Sequence, residues 1–124
     1  MAERQAMPTI LVVEDDALVR MHGTVVLEEA GFTVLEAADA DEALLIMGGL
    51  IDVDLLFSDI DMPGSMNGLD LACLVHERWP RVHLVLTSGH HRLAQGRLPA
   101  EGKFLPKPWA QDVLVRQVRA LLHA

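Results

Sequence analysis

The stretch LLFSDIDMPGSMNG, Leu55 to Gly68, carries an apolar run into Ser58 and Asp59 and then breaks it with Pro63 and Gly64. A short apolar run bounded by turn residues reads as a buried strand. Asp59 then lies at the strand's carboxyl end, where open α/β sheets bind their ligands. Strand 3 is expected over Val53–Ser58. Upstream, TILVV (Thr9–Val13) is a β-branched strand that runs into Glu14-Asp15-Asp16. A helix with Leu18, Val25 and Val26 at helical spacing follows, with Asp16 as its N-cap and Gly31 as its stop. TVLEA (Thr33–Ala37) is a second strand. After it, Asp39-x-x-Glu42 reads as an N-cap with a capping-box partner, and Gly48-Gly49 closes that helix.

Downstream, Leu71, Leu74 and Val75 mark a helix that Pro80 ends, and VHLVLTSG (Val82–Gly89) is a fourth strand. Lys103–Leu105 is a fifth. It leads through Pro106-Lys107-Pro108 into a helix with Leu114, Val118, Leu121 and Leu122 at i, i+4, i+7, i+8. Between strands 4 and 5 the alternation demands a helix, yet Gly96 and Pro99 interrupt a polar segment, so a short or mobile helix is expected over 90–102. The pattern is (βα)5, an α/β doubly wound parallel sheet of five strands, because parallel neighbours need helical crossovers. All five carboxyl ends then share one edge.

Composition narrows the function. The chain has 124 residues, 51% of them hydrophobic and only 4% aromatic, which suits one domain with an aliphatic core. A net charge of −8 speaks against nucleic acid as a partner, since phosphate neutralisation needs clustered Lys and Arg. No apolar run approaches the roughly 18 residues of a membrane span, and the amino terminus lacks a signal peptide's apolar centre, so the expectation is a cytoplasmic protein with no membrane partner. Cys73 excludes an internal disulfide and reads as a small core residue on a helix. Met47 and Met62 read as core or loop anchors, Trp79 and Trp109 as packing helix ends. His90 and His91 read as solvated.

The strand ends are spent unevenly: Glu14, Asp15 and Asp16 after strand 1, Asp59 after strand 3, Thr87 and Ser88 after strand 4, Lys107 after strand 5. Packed carboxylates repel one another unless a cation compensates, and hard oxygen donors suit Mg²⁺. A lysine and a hydroxyl facing them can hold the equatorial oxygens of a phosphoryl group, which makes Asp59 a nucleophile that forms an aspartyl phosphate.

Together and in order, VVEDD, Asp59-Ile-Asp-Met-Pro-Gly, LTSG and Lys107-Pro-Trp resemble the receiver domain of two-component response regulators across nearly the whole chain. The resemblance implies a flavodoxin-like strand order of 2-1-3-4-5. It implies Asp59 as phosphoacceptor, Mg²⁺ held by Asp15 and Asp59 with Glu14 acting through water, and the backbone carbonyl of Asp61 as a further metal ligand. Thr87 becomes the switch hydroxyl, Lys107 its cationic partner, Lys107-Pro108 a cis peptide, and Phe104 the aromatic that turns inward with the switch.

Four departures accompany the resemblance. Glu14 stands where aspartate is also common, and the Pro63–Gly68 loop is one residue longer than the commonest form. Asp61 and Gly89 occupy the positions that flank the attacking water in the family, and Phe104 lacks a hydroxyl.

The implied protein is a single receiver domain over 1–124 with no output domain, a phosphoacceptor rather than an enzyme acting on a separate substrate. It is implied to be a monomer or weak dimer. Its partners are a sensor histidine kinase or histidine phosphotransfer protein and a downstream protein target. Two alternatives stand beside it: a binding module of the same fold that has lost phosphorylation, and a phosphatase using Asp59-x-Asp61 as nucleophile and general acid.

Overall fold

The computed structural model describes residues 7–90, 98–99 and 102–123. Five strands, β1 (Thr9–Val13), β2 (Thr33–Ala37), β3 (Leu55–Asp59), β4 (His83–Ser88) and β5 (Lys103–Pro106), form one parallel sheet ordered β2-β1-β3-β4-β5. The helices among the described residues are α1 (Ala17–Glu29), α2 (Ala40–Met47), α3 (Gly68–Arg78) and α4 (Gln111–Leu122). The helix expected between β4 and β5 lies largely outside the described residues. No described helix is long and apolar enough to cross a membrane.

Side chains alternate across the strands, and both faces of the sheet are covered. Leu11, Val13, Leu56, Leu84 and Leu86 pack on Ala40, Ala43 and Met47 of α2 and Leu71, Ala72 and Val75 of α3. Ile10, Val12, Leu55, Phe57, Val85 and Leu105 pack on Val26 and Leu27 of α1 and Leu114 and Val118 of α4. Burial on both faces explains why the strands read as continuous apolar runs rather than alternating ones.

Several local readings need correction. Strand β3 begins at Leu55 rather than Val53 and includes Asp59, which pairs in register with Thr87. At its approach, Asp54 accepts the Thr9 N–H at 2.7 Å and donates its own N–H to the Thr9 carbonyl at 2.8 Å, so the chain is already engaged before the ladder starts. Strand β4 is shorter than read, and β5 extends to Pro106.

On α1 the core face is Gly23, Thr24, Val26 and Leu27, whereas Leu18 and Val25 are 73% and 43% exposed. The helical period was right but the phase was misassigned. Cys73 is exposed for the same reason, because Leu71, Ala72 and Val75 take the inward positions of α3. Met47 and Met62 are buried, as the sequence suggests.

The caps set where the loops leave the sheet. Asp16 accepts the N–H groups of Leu18 and Val19 at 2.9 and 3.1 Å, which fixes the turn carrying Glu14 and Asp15 into α1. Asp16→Ala is therefore expected to cost about 1 kcal/mol in thermal or chemical denaturation. Asp39 accepts the Glu42 N–H at 2.8 Å, but Glu42 reaches back to the N–H of Ala38 rather than to that of Asp39, so the box closes one residue early. Gly31 supplies the predicted stop after α1 with φ +103°. Gly48 ends α2 with φ −83°, without the left-handed turn expected of it. A full capping box that the sequence reading missed, Asn67 with Asp70, starts α3 directly beside the acceptor strand.

Candidate functional site

Four of the residues predicted for the site lie at the carboxyl edge of the sheet. Glu14 follows β1, Asp59 ends β3, Thr87 lies near the end of β4, and Lys107 follows β5. Lys107 Nζ lies 2.9 Å from Glu14 Oε1 and 3.5 Å from Asp59 Oδ2, closing a triad across three strands. Glu14, Asp59 and Thr87 are 4%, 4% and 3% exposed. Asp15 is exposed, yet Glu14, Asp15 and Asp59 each place a carboxylate oxygen within 4.8 Å of the others.

Burial sets the electrostatics. Desolvation raises the pKa of Asp59, aided by the Asp61 charge, and outweighs the Lys107 charge and the Asp61 N–H, which lower it. Desolvation also raises that of Glu14, against the opposing hydrogen bonds from Lys107 and the Asp16 N–H. Burial alone would lower Lys107, but the hydrogen bond to Glu14 and the charges of Asp59 and Glu14 overcome it and leave the ammonium pKa raised. Two buried acids thus share one lysine, and the site holds more acidic than basic groups.

Four buried side-chain atoms have no hydrogen-bond partner among the described residues: Thr24 Oγ1 and His76 Nδ1 elsewhere in the fold, and Asp59 Oδ1 and Thr87 Oγ1 at the site. Asp59 and Thr87 lie directly opposite one another in the β3–β4 register. A buried polar atom without a partner is costly, so its persistence points to a ligand that supplies one. A cavity of about 10 Å³ between Glu14, Asp59, Thr87, Phe57 and Trp109 holds no more than one water molecule. The wider hollow of about 590 Å³ around Asp52, Asp54, Arg78 and Trp79 lies at the opposite, amino edge and shares none of these groups.

The structure places the remaining predicted residues less centrally. The Asp61 carboxylate is turned to the Ser88 hydroxyl, and Asp61 is absent from the cluster of converging carboxylates. Phe104 is half-buried on β5 opposite Leu86. Lys107-Pro108 is cis, as the resemblance implies. Trp109 does more than pack a helix end: it stacks on His22 with ring centroids 5.1 Å apart and meets Phe57 edge-on at 5.8 Å.

Sequence reasoning missed Arg20. Its Nη1 donates to the Glu14 carbonyl at 2.7 Å and its Nε to Glu36 Oε1 at 3.1 Å, tying the acidic turn to β2. A basic residue one helical turn after an acidic run was the available signal. Gly68 was missed as well. It packs on the backbone of Asp59 and Ile60 and donates its N–H to the Ile60 carbonyl at 2.9 Å.

A doubly wound parallel sheet ordered β2-β1-β3-β4-β5, with carboxylates, a hydroxyl and a lysine at its carboxyl ends, defines the class of flavodoxin-like α/β domains. Within that class, the family model described as response regulator receiver domain matches residues 10–119. The chain belongs to the response regulator receiver family.

It is 41% identical over 121 residues to the sensor kinase CckA of Brucella abortus, a match that takes in 93% of the chain and 12% of the kinase. Among solved structures, the receiver domain from the hybrid histidine kinase CckA is 34% identical with a TM-score of 0.77, over 92% of this chain and 98% of that one. A response regulator receiver protein from Sinorhizobium medicae is 26% identical with a TM-score of 0.86, over 95% and 96%.

Proposed function

We propose that this receiver domain accepts a phosphoryl group from a phosphohistidine onto Asp59, in the presence of Mg²⁺, and changes a protein–protein contact as a result. The observation that carries the reading is the facing pair of unpartnered buried oxygens, Asp59 Oδ1 and Thr87 Oγ1, beside the Lys107 ammonium. An Asp59 carboxylate oxygen attacks phosphorus, and the phosphorus–nitrogen bond of the donor breaks. The imidazole nitrogen keeps the bonding pair and takes a proton from water. Lys107 stays within reach of the equatorial oxygens and offsets their charge, while Thr87 donates its hydroxyl hydrogen to one of them.

Glu14, Asp15 and Asp59 fit a hard divalent cation, because all three offer converging carboxylate oxygens and the buried two carry raised pKa values. Mg²⁺ held there supplies neutralisation of charge on the transferring group. The Asp61 carbonyl and Phe104 keep the roles the resemblance implies, as metal ligand and as switch aromatic.

The partners of this reading are a histidine kinase or a histidine phosphotransfer protein, and then a downstream protein target, all in the cytoplasm. The domain signals rather than turning over a separate substrate. The similarity to the receiver of a hybrid kinase is consistent with relay of the phosphoryl group as well as with direct output.

The test is incubation with phosphoramidate, a small phosphorus–nitrogen donor, and Mg²⁺, followed by intact mass. The expected result is one phosphoryl adduct that chelation abolishes and that forms about 10²-fold more slowly in Lys107→Ala. No adduct at any Mg²⁺ concentration, together with no Mg²⁺-dependent beryllofluoride complex, would leave a binding module of the same fold.

A further inference from the structure

Beside the switch hydroxyl lies a second hydroxyl to which the phosphotransfer reading gives no task. Ser88 is 1% exposed, and its hydroxyl donates to Asp61 Oδ2 at 2.5 Å while accepting the His90 N–H at 3.0 Å. Its carbonyl accepts the Lys107 N–H at 3.0 Å. One residue thus joins the chain after β3, the end of β4 and the chain after β5, the three segments that carry Asp59, Thr87 and Lys107.

The contrast with its neighbour is informative. Thr87 Oγ1 has no partner among the described residues, whereas the side chain of the next residue is held at both ends. The Thr87 carbonyl is itself fixed by the Ile60 N–H at 2.9 Å. Thr87 and Asp59 are register partners, so any movement of the end of β4 that brings the Thr87 hydroxyl onto a phosphoryl oxygen carries Ser88 with it. Any such displacement strains the hydrogen bond to Asp61.

We propose that the Ser88–Asp61 hydrogen bond is a restraint that holds the end of β4 where Thr87 is unengaged, and so sets the cost of the switch. Ser88 is a positioning residue, acting through Thr87 rather than on the phosphoryl group. The proposal rests on the reading of Asp59 as acceptor and Thr87 as switch. A ligand that favours the engaged state must work against the restraint, and its apparent affinity falls by the fraction of molecules held back.

The experiment is a titration with beryllofluoride and Mg²⁺, an acceptor-site mimic that needs no covalent step, followed by the fluorescence of Trp109. Far-UV circular dichroism establishes that each variant is folded. Ser88→Ala is expected to bind beryllofluoride about 3- to 10-fold more tightly than the wild type. In an Asp61→Ala background the same substitution is expected to change affinity by less than about 1.5-fold, because the bond is already gone.

Asp61→Asn keeps an acceptor for the Ser88 hydroxyl while removing the charge, so Asp61→Ala is expected to bind more tightly than Asp61→Asn. That comparison decides the matter without Ser88→Ala should this variant not fold. Unchanged or weaker binding in Ser88→Ala, an equal shift in the Asp61→Ala background, or equal affinities of the two Asp61 variants would overturn the restraint. A wild type that responds, with the response lost in Asp59→Asn, keeps the acceptor reading standing through any of those results. A wild type that gives no response overturns both.

Discussion

Asp59→Asn is expected to abolish phosphoryl acceptance and, in metal-free protein near pH 7.5, to raise stability by about 1 kcal/mol, on the order of 3–5 °C in Tm. The carboxylate is 4% exposed, and desolvation pushes its pKa up despite Lys107. The sign follows from linkage. Below the pKa of the unfolded chain both states hold the proton, and ionisation costs nothing. As pH rises through the interval up to the higher folded pKa, the unfolded chain gives up its proton more readily, and the folded state loses stability until the full penalty is reached above it.

Asparagine removes that penalty, so its advantage is expected to grow as pH rises above the ordinary carboxylate range and to vanish as the protein is acidified below it. Lys107 is not stranded by the change, since Glu14 Oε1 remains 2.9 Å from its Nζ. Thermal melts of wild type and variant in chelator across pH measure the difference. A variant less stable at neutral pH would mean that the Lys107–Asp59 attraction outweighs desolvation.

Gly68→Ala carries the largest expected structural effect. A Cβ at this position would lie 2.7 Å from the Asp59 carbonyl carbon and 2.8 Å from Ile60 Cα. Both obstacles are backbone in the acceptor strand and its exit, so neither can rotate away as a side chain would. The expected loss is about 3 kcal/mol in urea denaturation. Because the atoms displaced belong to Asp59, Mg²⁺ affinity is expected to fall with it.

Gly64→Ala is the control. It lies in the same loop at φ +108° with nothing within 4 Å of an added Cβ, so only backbone strain of about 1 kcal/mol is expected. A loss at Gly68 no larger than that at Gly64 would show that local movement relieves most of the close approach at Gly68.

The contrast between these two glycines illustrates what the sequence could reveal. The sheet was legible because five apolar runs are separated by helical periods and turn residues, and a parallel sheet places all five ends on one edge. Glu14, Asp15, Asp59, Thr87 and Lys107 follow from that placement, since a residue at a strand's carboxyl end needs no further information to be brought to the edge.

What depends on the angle at which a segment crosses its neighbour was not legible. Leu18 and Val25 have the period of a buried face, but the rotation of α1 on the sheet gives that place to Gly23 and Leu27. Cys73 is outward for the same reason. The need for glycine at Gly68 arises from the approach of α3 to β3, and the Arg20 and Ser88 contacts join residues of different segments. The cis Lys107-Pro108 bond came from family resemblance, as no local rule singles it out among X–Pro bonds.

The central claim is that Asp59 is the phosphoacceptor. Its most direct test is incubation of the wild type with acetyl phosphate and Mg²⁺, followed by borohydride trapping of the acyl phosphate and peptide mass mapping. A single modification is expected on the peptide that contains Asp59, absent from Asp59→Asn and from the chelated sample. A modification mapped to another residue, or one of undiminished yield in Asp59→Asn, would contradict that claim.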